Sequence, residues 1–319
     1  MRRIETRPFD EELLQAAGAL LAARHREHRQ AERLLPARYE EPAAATEAVA
    51  ELWRADDASG AVALRDGDLA AFVLGIRRND DVWGPNVWVE TAGHAATEPE
   101  ALRDAYGLAA ERWVEEGRVR QYVLVPASAG ALVDAWFRLS FGAQHAYGIR
   151  EVTSAGWPEG VRLAEPRDVD ALLALSPLLA QHQDRSPVFG PVAGGDSDAE
   201  ELRREILDDI ANPEVGDLLA ERDGVVVGAF QNVPVELSST HAGLARPEAA
   251  ALLGWAATGP DVRGSGDGLA LTEGTFAWAH ERDYRALVTD WRETNLLSSR
   301  FWPARGFRRT FLRLYRHIP

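Results

Sequence analysis

Residues 260–274 read PDVRGSGDGLALTEG: four glycines within eleven positions, Arg263 ahead of them and a helix-like run behind. Glycines leave backbone N–H groups uncrowded, and a helix N-terminus adds its dipole, so the pattern suits an anion such as phosphate or pyrophosphate. A nucleoside-triphosphate loop ends in Gly-Lys-Ser/Thr, and all 35 basic residues here are arginines, which excludes it. A dinucleotide turn reads G-x-G-x-x-G. Gly264 and Gly266 begin one, but Leu269 stands at the third position, as Leu271 does when the count starts from Gly266 and Gly268. Asp290 lies about twenty residues on, where a ribose-binding acid would sit, and keeps that reading open.

A third reading rests on a family resemblance. Arg263-Gly264-Ser265-Gly266-Asp267-Gly268 resembles the R/Q-x-x-G-x-G/A signature of the GNAT superfamily of acyl-CoA-dependent N-acyltransferases, with Pro260 three residues ahead. Downstream, Asn295-x-x-Ser298-x-x-Phe301-Trp302-x-x-x-Gly306-Phe307 is similar to that family's second signature. The resemblance implies that the backbone near Ala256 and Thr258 faces pantetheine, that amides from Arg263 to Gly268 cradle the pyrophosphate, and that Asn295 and Ser298 line the pantetheine arm. An ordinary strand-to-helix turn and an Asn295 helix cap are the plain alternatives, and capping is compatible with ligand contact. Trp302 departs from the family, which commonly places a tyrosine there to protonate the departing thiolate. An indole N–H donates a hydrogen bond but gives up no proton near neutral pH. Trp302 is therefore expected to hold sulfur or pack on pantetheine, with Asp290 a base acting through water and Tyr315 an acid; an Asp290–Arg292 ion pair and an edge-strand aromatic are the alternatives.

The elements that position these residues occur twice. Residues 111–137 lie without a gap on 276–302, placing Trp113 on Trp278, Arg120 on Arg285 and Phe137 on Trp302. Upstream, LRDGDLAAF (64–72) lies on ERDGVVVGA (221–229), each an Asp-Gly hairpin signal. Each copy predicts a helical part (10–34; 167–182 and 198–211), a hairpin (61–76; 217–233), a third strand (86–91; 250–258), a helix (98–116; 268–283), a strand (120–126; 285–291), a short helix (129–139; 296–304) and a last strand (143–151; 308–317). This is an α/β pattern of the mixed α+β kind: two tandem GNAT-like domains, 1–152 and 161–319, joined through VTSAGWPEG (152–160). Copy one is the degenerate one. It reads TAGHAATEPEAL (91–102) where the glycine loop should be, with Glu98 and Glu100 near the expected phosphate, and Gly130 where copy two has Asn295. Carboxylates repel pyrophosphate, so copy one is expected to bind no cofactor and to buttress copy two or shape the acceptor pocket.

The 319 residues carry a net charge of −15 and no cysteine, which excludes thiolate metal sites and cysteine nucleophiles; the lack of lysine excludes Schiff-base chemistry. An acidic chain without a basic cluster is not a nucleic-acid module, and its field favours a cationic small substrate such as an amine. No stretch is long and apolar enough for a membrane span, and the N-terminus turns acidic where a signal peptide would turn apolar, so a cytoplasmic monomer or homodimer is expected. His25, His28 and Glu32 fall on one helix face; a solvated face among Arg24, Arg26 and Arg29 is preferred there to a metal site, and no metal is assigned. The irregular stretch 183–197 is a candidate binding loop, Trp83 and Trp157 a candidate aromatic wall, and His280 a packed or solvated residue. The expected activity is transfer of an acetyl group from acetyl-CoA to a primary amine by direct attack in a ternary complex. The alternative is a non-catalytic acyl-CoA-binding or regulatory module.

Overall fold

The computed structural model describes residues 4–80, 83–154, 156–190 and 198–319. The linker residue 155 and positions 191–197 of the expected binding loop lie outside the described residues. The chain forms two compact units. Unit 1 comprises Met1–Tyr147, Ala242–Arg246 and Arg309–Pro319; unit 2 comprises Gly148–His241 and Pro247–Arg308.

The first half contains β1 (Ile4–Pro8), α1 (Leu14–Ala31), α2 (Pro42–Trp53), β2 (Ala58–Arg65), β3 (Asp68–Asp80), β4 (Gly84–Val89), β5 (His94–Ala96), α3 (Pro99–Glu115), β6 (Arg120–Pro126), α4 (Gly130–Arg138) and β7 (Gly142–Glu151). The second half contains β8 (Val161–Leu163), α5 (Val169–Leu175), α6 (Pro177–Gln183), α7 (Ala199–Ala211), β9 (Gly216–Arg222), β10 (Val225–Pro234), β11 (Ala250–Thr258), α8 (Asp267–His280), β12 (Ala286–Arg292), α9 (Ser298–Ala304) and β13 (Arg308–His317). In unit 1 the strand order is β1-β2-β3-β4-β6-β13-β7, with β5 on β3; in unit 2 it is β7-β12-β11-β10-β9-β8. Strand pairing is mixed in each unit: β4 and β6 run parallel, as do β11 and β12, and the hairpins are antiparallel.

The hairpin turns have one chemistry. Asp66 and Gly67 have φ of 54° and 92°, and Asp223 and Gly224 of 51° and 77°, so both central residues are left-handed, as the twist of a tight hairpin prefers. Alternation along the strands then sorts the core of unit 1. Val62, Leu64, Phe72, Leu74 and Leu124 meet α1 and α2, while Ala63, Val73, Val87 and Val123 meet α3 and α4. The superposed tryptophans have equivalent roles: Trp113 and Trp278 are both fully buried, each against a strand glycine, Gly75 and Gly216, that leaves room for the indole.

Several expectations need correction. The helical run at 167–182 divides at Ser176–Pro177 into α5 and α6, because Pro177 lacks the N–H that would continue the ladder. Helix α2 and the short strands β1, β5 and β8 are additions that short-range periodicity did not single out. The last strand, read as part of copy two, clusters from Arg309 onward with unit 1, where it pairs antiparallel with β6 from Phe311↔Pro126 to His317↔Arg120. His25, His28 and Glu32 do not form a solvated face: they are 0, 2 and 6% exposed. Tyr39 and Phe311 cover the two imidazoles edge-on, at 5.8 and 4.8 Å between ring centroids. Burial drops their pKa values to about 4 for His25 and about 3 for His28, so both are neutral. Among the described residues no group of three or more His, Cys, Asp or Glu side chains is placed to hold a metal ion. No described helix is long and apolar enough to cross a membrane.

Candidate active site

The site lies in unit 2, where β11 and β12 part. They pair through only three rungs, Ala250↔Ala286 to Leu252↔Val288. Thr289 Oγ1 then donates to Leu253 O at 2.9 Å, a side-chain bond in place of the next rung. The other edge of β11 explains the divergence. Gln231 of β10 opposes Trp255 while the next residue, Asn232, opposes Leu253, leaving Gly254 as a bulge. A bulge bends its strand and sharpens its twist. The edge of β11 from Gly254 to Thr258 that points toward β12 is thus left without a strand partner among the described residues, and it includes Ala256 and Thr258.

Beyond β11 the chain makes one short turn of 3-10 helix, Pro260–Val262, and enters the glycine loop. Gly264 and Gly266 have φ of 86° and 102°, values side-chain-bearing residues rarely adopt, and a Cβ on either would meet open space. Gly266 occupies the N-cap of α8, and no side chain caps that helix. First-turn N–H groups therefore point outward from an exposed loop in which Arg263 to Gly266 are all solvent-accessible. Asp267, the one acid in this turn, is not left bare. Arg222 Nη2 donates to its Oδ1 at 2.9 Å, and the Ser265 hydroxyl donates to its Oδ2. These bonds hold its carboxyl below the usual range.

Asn295 is 5% exposed and sits ahead of α9, its Oδ1 accepting from the backbone N–H groups of Leu297 at 3.0 Å and Ser298 at 3.3 Å. Its capping role is therefore realised. The Ser298 hydroxyl is buried without a hydrogen-bond partner, a cost that a ligand atom at this place would relieve. Trp302 is 5% exposed and packed among Phe230, Phe301 and Phe307, with centroids 5.8, 4.8 and 5.5 Å away. Asp290 is half-buried on β12, two residues past the last rung. Tyr315 belongs to unit 1, where it opposes Tyr122 and stacks on its ring at 5.0 Å. The structure thus gathers the loop, Ala256, Thr258, Asn295, Ser298, Trp302 and Asp290 in one unit and leaves Tyr315 in the other. Trp157 donates to Glu281 in unit 2, and Trp83 packs on Tyr122 in unit 1; His280 is exposed.

Three residues escaped the sequence reading. His182, at the end of α6, places Nε2 3.1 Å from Asn295 Oδ1, and the neighbouring Gln183 accepts from Arg292 Nε at 3.1 Å. Only a histidine next to an irregular stretch hinted at it. Asp217 lies on β9 opposite Gln231, 8% exposed; burial first, then Asp209, pushes its carboxyl up to about 6. An acid inside the apolar run GDLLA was the available signal. Arg222 matches Arg65 in the repeat, and its place in an Asp-Gly turn gives no sign of its partner Asp267. Beside the loop, a cleft of about 660 Å³ is lined by Leu269, Thr272 and Glu273 of α8, Ala304 of α9, and Arg150 and Arg305.

The corresponding place in unit 1 is filled by the chain itself. After β4, residues 90–96 turn back onto β3, and the fully buried His94 places Nε2 3.0 Å from Leu124 O, one residue past the last β4–β6 rung. Arg24 donates to the carbonyls of Thr91 and His94 and fixes this plug.

The structure is similar to a GCN5-related N-acetyltransferase from Sphaerobacter thermophilus, with a TM-score of 0.56 and 15% identity over 98% of this chain and 95% of that one. It is also similar to a GCN5-related glucosamine N-acetyltransferase region of a fungal multi-domain GH3 β-N-acetylglucosaminidase, with a TM-score of 0.54 and 13% identity over 99% of this chain and 38% of that one. The chain has the GNAT fold. No family model matches its sequence, and no curated protein does so either. What places the chain in the GNAT fold is therefore three-dimensional, and the glycine loop and the Asn295 cap occupy the turn after β11 and the turn after β12 of that fold.

Proposed function

We propose that the protein is an N-acyltransferase that moves an acetyl group from acetyl-CoA to a primary amine of a small molecule by direct attack in a ternary complex, with unit 2 holding the nucleotide. One observation carries the reading: β11 and β12 diverge after three rungs directly ahead of an uncapped, glycine-rich helix N-terminus. The divergence offers an amide-bearing slot for the pantetheine arm, and the helix end offers N–H donors and a dipole for the pyrophosphate. The orphaned Ser298 hydroxyl fits an arm with its own amides. Arg150 and Arg305 in the neighbouring cleft supply positive charge for the nucleotide end.

The chain's part in the chemistry is modest. N–H groups on the open edge of β11 polarise the thioester carbonyl, where negative charge develops during attack. The loop and the slot orient the thioester and exclude water from it. Trp302 packs beneath this region and supplies no proton. The reading is of a cytoplasmic enzyme, monomeric or homodimeric, whose net charge of −15 suits a cationic acceptor. Unit 1 holds no nucleotide.

Acetyl-CoA turnover against a panel of primary amines, followed by free-thiol release, together with calorimetric acetyl-CoA binding, tests this. Binding with amine-dependent thiol release is expected. Binding without release for any amine would favour the non-catalytic acyl-CoA-binding module, and no binding would overturn the reading.

A further inference from the structure

The acyl-transfer reading leaves one proton unassigned, because the attacking amine must lose one as the C–N bond forms. Trp302 cannot take it, and Asp290, half-buried on β12, is one candidate. The structure places another group beside the slot. Helix α6 packs against β11, and its last two residues, His182 and Gln183, bond to Asn295 and Arg292 around the turn that follows β12. The end of α6 therefore stands at the turn after β12, on a helix that also contacts β11.

The hydrogen bonds fix which nitrogen of His182 is basic. Asn295 Oδ1 accepts from two backbone N–H groups, Leu297 and Ser298, so the amide orientation is determined and the atom facing His182 is an acceptor. The imidazole Nε2 must then carry its hydrogen and donate to it at 3.1 Å. In the neutral ring Nδ1 holds the lone pair, and it has no hydrogen-bond partner among the described residues. His182 is half-buried, so Nδ1 is open to a ligand. A base oriented by an asparagine carbonyl is the arrangement used to aim an imidazole in histidine-dependent acyl transfer.

We propose that His182 is the proton acceptor of the transfer, aimed by Asn295. The proposal rests on the acyl-transfer reading. The neutral amine nitrogen attacks the thioester carbon, the C–N bond forms, and the nitrogen passes one proton to His182 Nδ1. The C–S bond breaks, the sulfur leaves as thiolate, and the imidazolium returns that proton to it, giving amide and thiol. Strand β11 carries no charged residue; the turn after β12 brings Arg292 and Glu293, and the chain after α6 brings Asp184 and Arg185.

The test uses the full chain with acetyl-CoA and n-butylamine as the probe, reading thiol release across pH and acetyl-CoA affinity by calorimetry. His182→Gln keeps a donor for Asn295 Oδ1 and removes the basic nitrogen. It is expected to lower kcat by about a hundredfold or more, to abolish the acidic limb of the kcat/KM profile, and to leave acetyl-CoA affinity within about twofold. Asn295→Asp, which keeps the helix cap, is expected to move that limb to higher pH, because a carboxylate favours the imidazolium. A purely structural His182 would lower stability without moving the limb. Full turnover of His182→Gln with an unaltered profile, or loss of the limb in Asp290→Asn instead, would overturn the proposal and leave the acyl-transfer reading standing. Wild-type protein that fails to bind acetyl-CoA would remove that reading and the proposal together.

Discussion

Arg222 Nη2 lies 2.9 Å from Asp267 Oδ1, and in the first copy the matching arginine, Arg65, places Nε 2.5 Å from Glu98 Oε1. In both copies the arginine of the Asp-Gly hairpin reaches the acid that opens the following helix. In unit 2 that acid stands within the loop assigned to pyrophosphate, where an unneutralised carboxylate would oppose the ligand. Exposed ion pairs add little to stability, so the pair matters through binding.

Arg222→Ala is accordingly expected to weaken acetyl-CoA binding about five- to tenfold, roughly 1 kcal/mol, with little change in melting temperature. Asp267→Asn in the same chain should restore most of the loss, since it removes the charge that Arg222 neutralises. Calorimetry of the two single variants and the double variant checks this. Equal losses in Arg222→Ala with and without Asp267→Asn would mean that Arg222 acts independently of Asp267.

Gly266→Val places a branched side chain at φ 102°, which only glycine adopts freely, and directs it into the open space ahead of the α8 amides. The loop is solvent-exposed, so the fold should persist while acetyl-CoA affinity falls beyond detection. Unchanged affinity in a variant with native circular dichroism would refute the pyrophosphate assignment.

Much of this was legible in the chain. The superposition of Trp113 on Trp278 and of the two Asp-Gly turns anticipated equivalent burial and equivalent hairpins, because both rest on local rules: helix periodicity and the left-handed backbone of a tight turn. The glycine loop fell at the N-terminus of α8 for the same reason. What stayed hidden depends on contacts distant in sequence. The arginines around His25 and His28 point to a solvated face, yet Phe311, nearly three hundred residues later, covers one of the rings. His182 meets Asn295 across 113 positions. The unit membership of Tyr315 depends on pairing with β6, which no periodicity records.

Unit 1 should add no second nucleotide site. His94 and the turned-back segment 90–96 fill the space beside β6, and Glu98 and Glu100 stand at the start of α3. Calorimetric titration is expected to give one acetyl-CoA per chain. His94→Ala should destabilise the fold by about 2 kcal/mol, since it empties a buried position and leaves the Leu124 carbonyl and the Arg24 environment unsupported. It should not raise the stoichiometry, because the segment 90–96 still turns back onto β3. A value near two in the wild type would mean that unit 1 does bind a nucleotide.

Asp217 makes a prediction about stability and pH. Its carboxyl is 8% exposed, and burial, reinforced by Asp209, raises its pKa to about 6. Gln231 donates to Asp209 at 3.0 Å and stands opposite Asp217, so the three side chains form one polar row beneath α7. A raised carboxyl pKa means that the folded state prefers the neutral acid. The contribution to stability is complete below the unfolded value, about 3.8, and is lost as pH rises through about 6. Asp217→Asn keeps the size and an acceptor oxygen but carries no charge at any pH. It is therefore expected to stabilise the protein at pH 8 by about 2–3 kcal/mol and to change it little at pH 4, the gain growing between those limits. Urea unfolding of both proteins at pH 4, 6 and 8 measures the difference directly. A gain that is the same at pH 4 and pH 8 would mean that Asp217 acts through packing and not through its charge, and a loss at pH 8 would mean that the ionised carboxylate is a favourable part of the folded state.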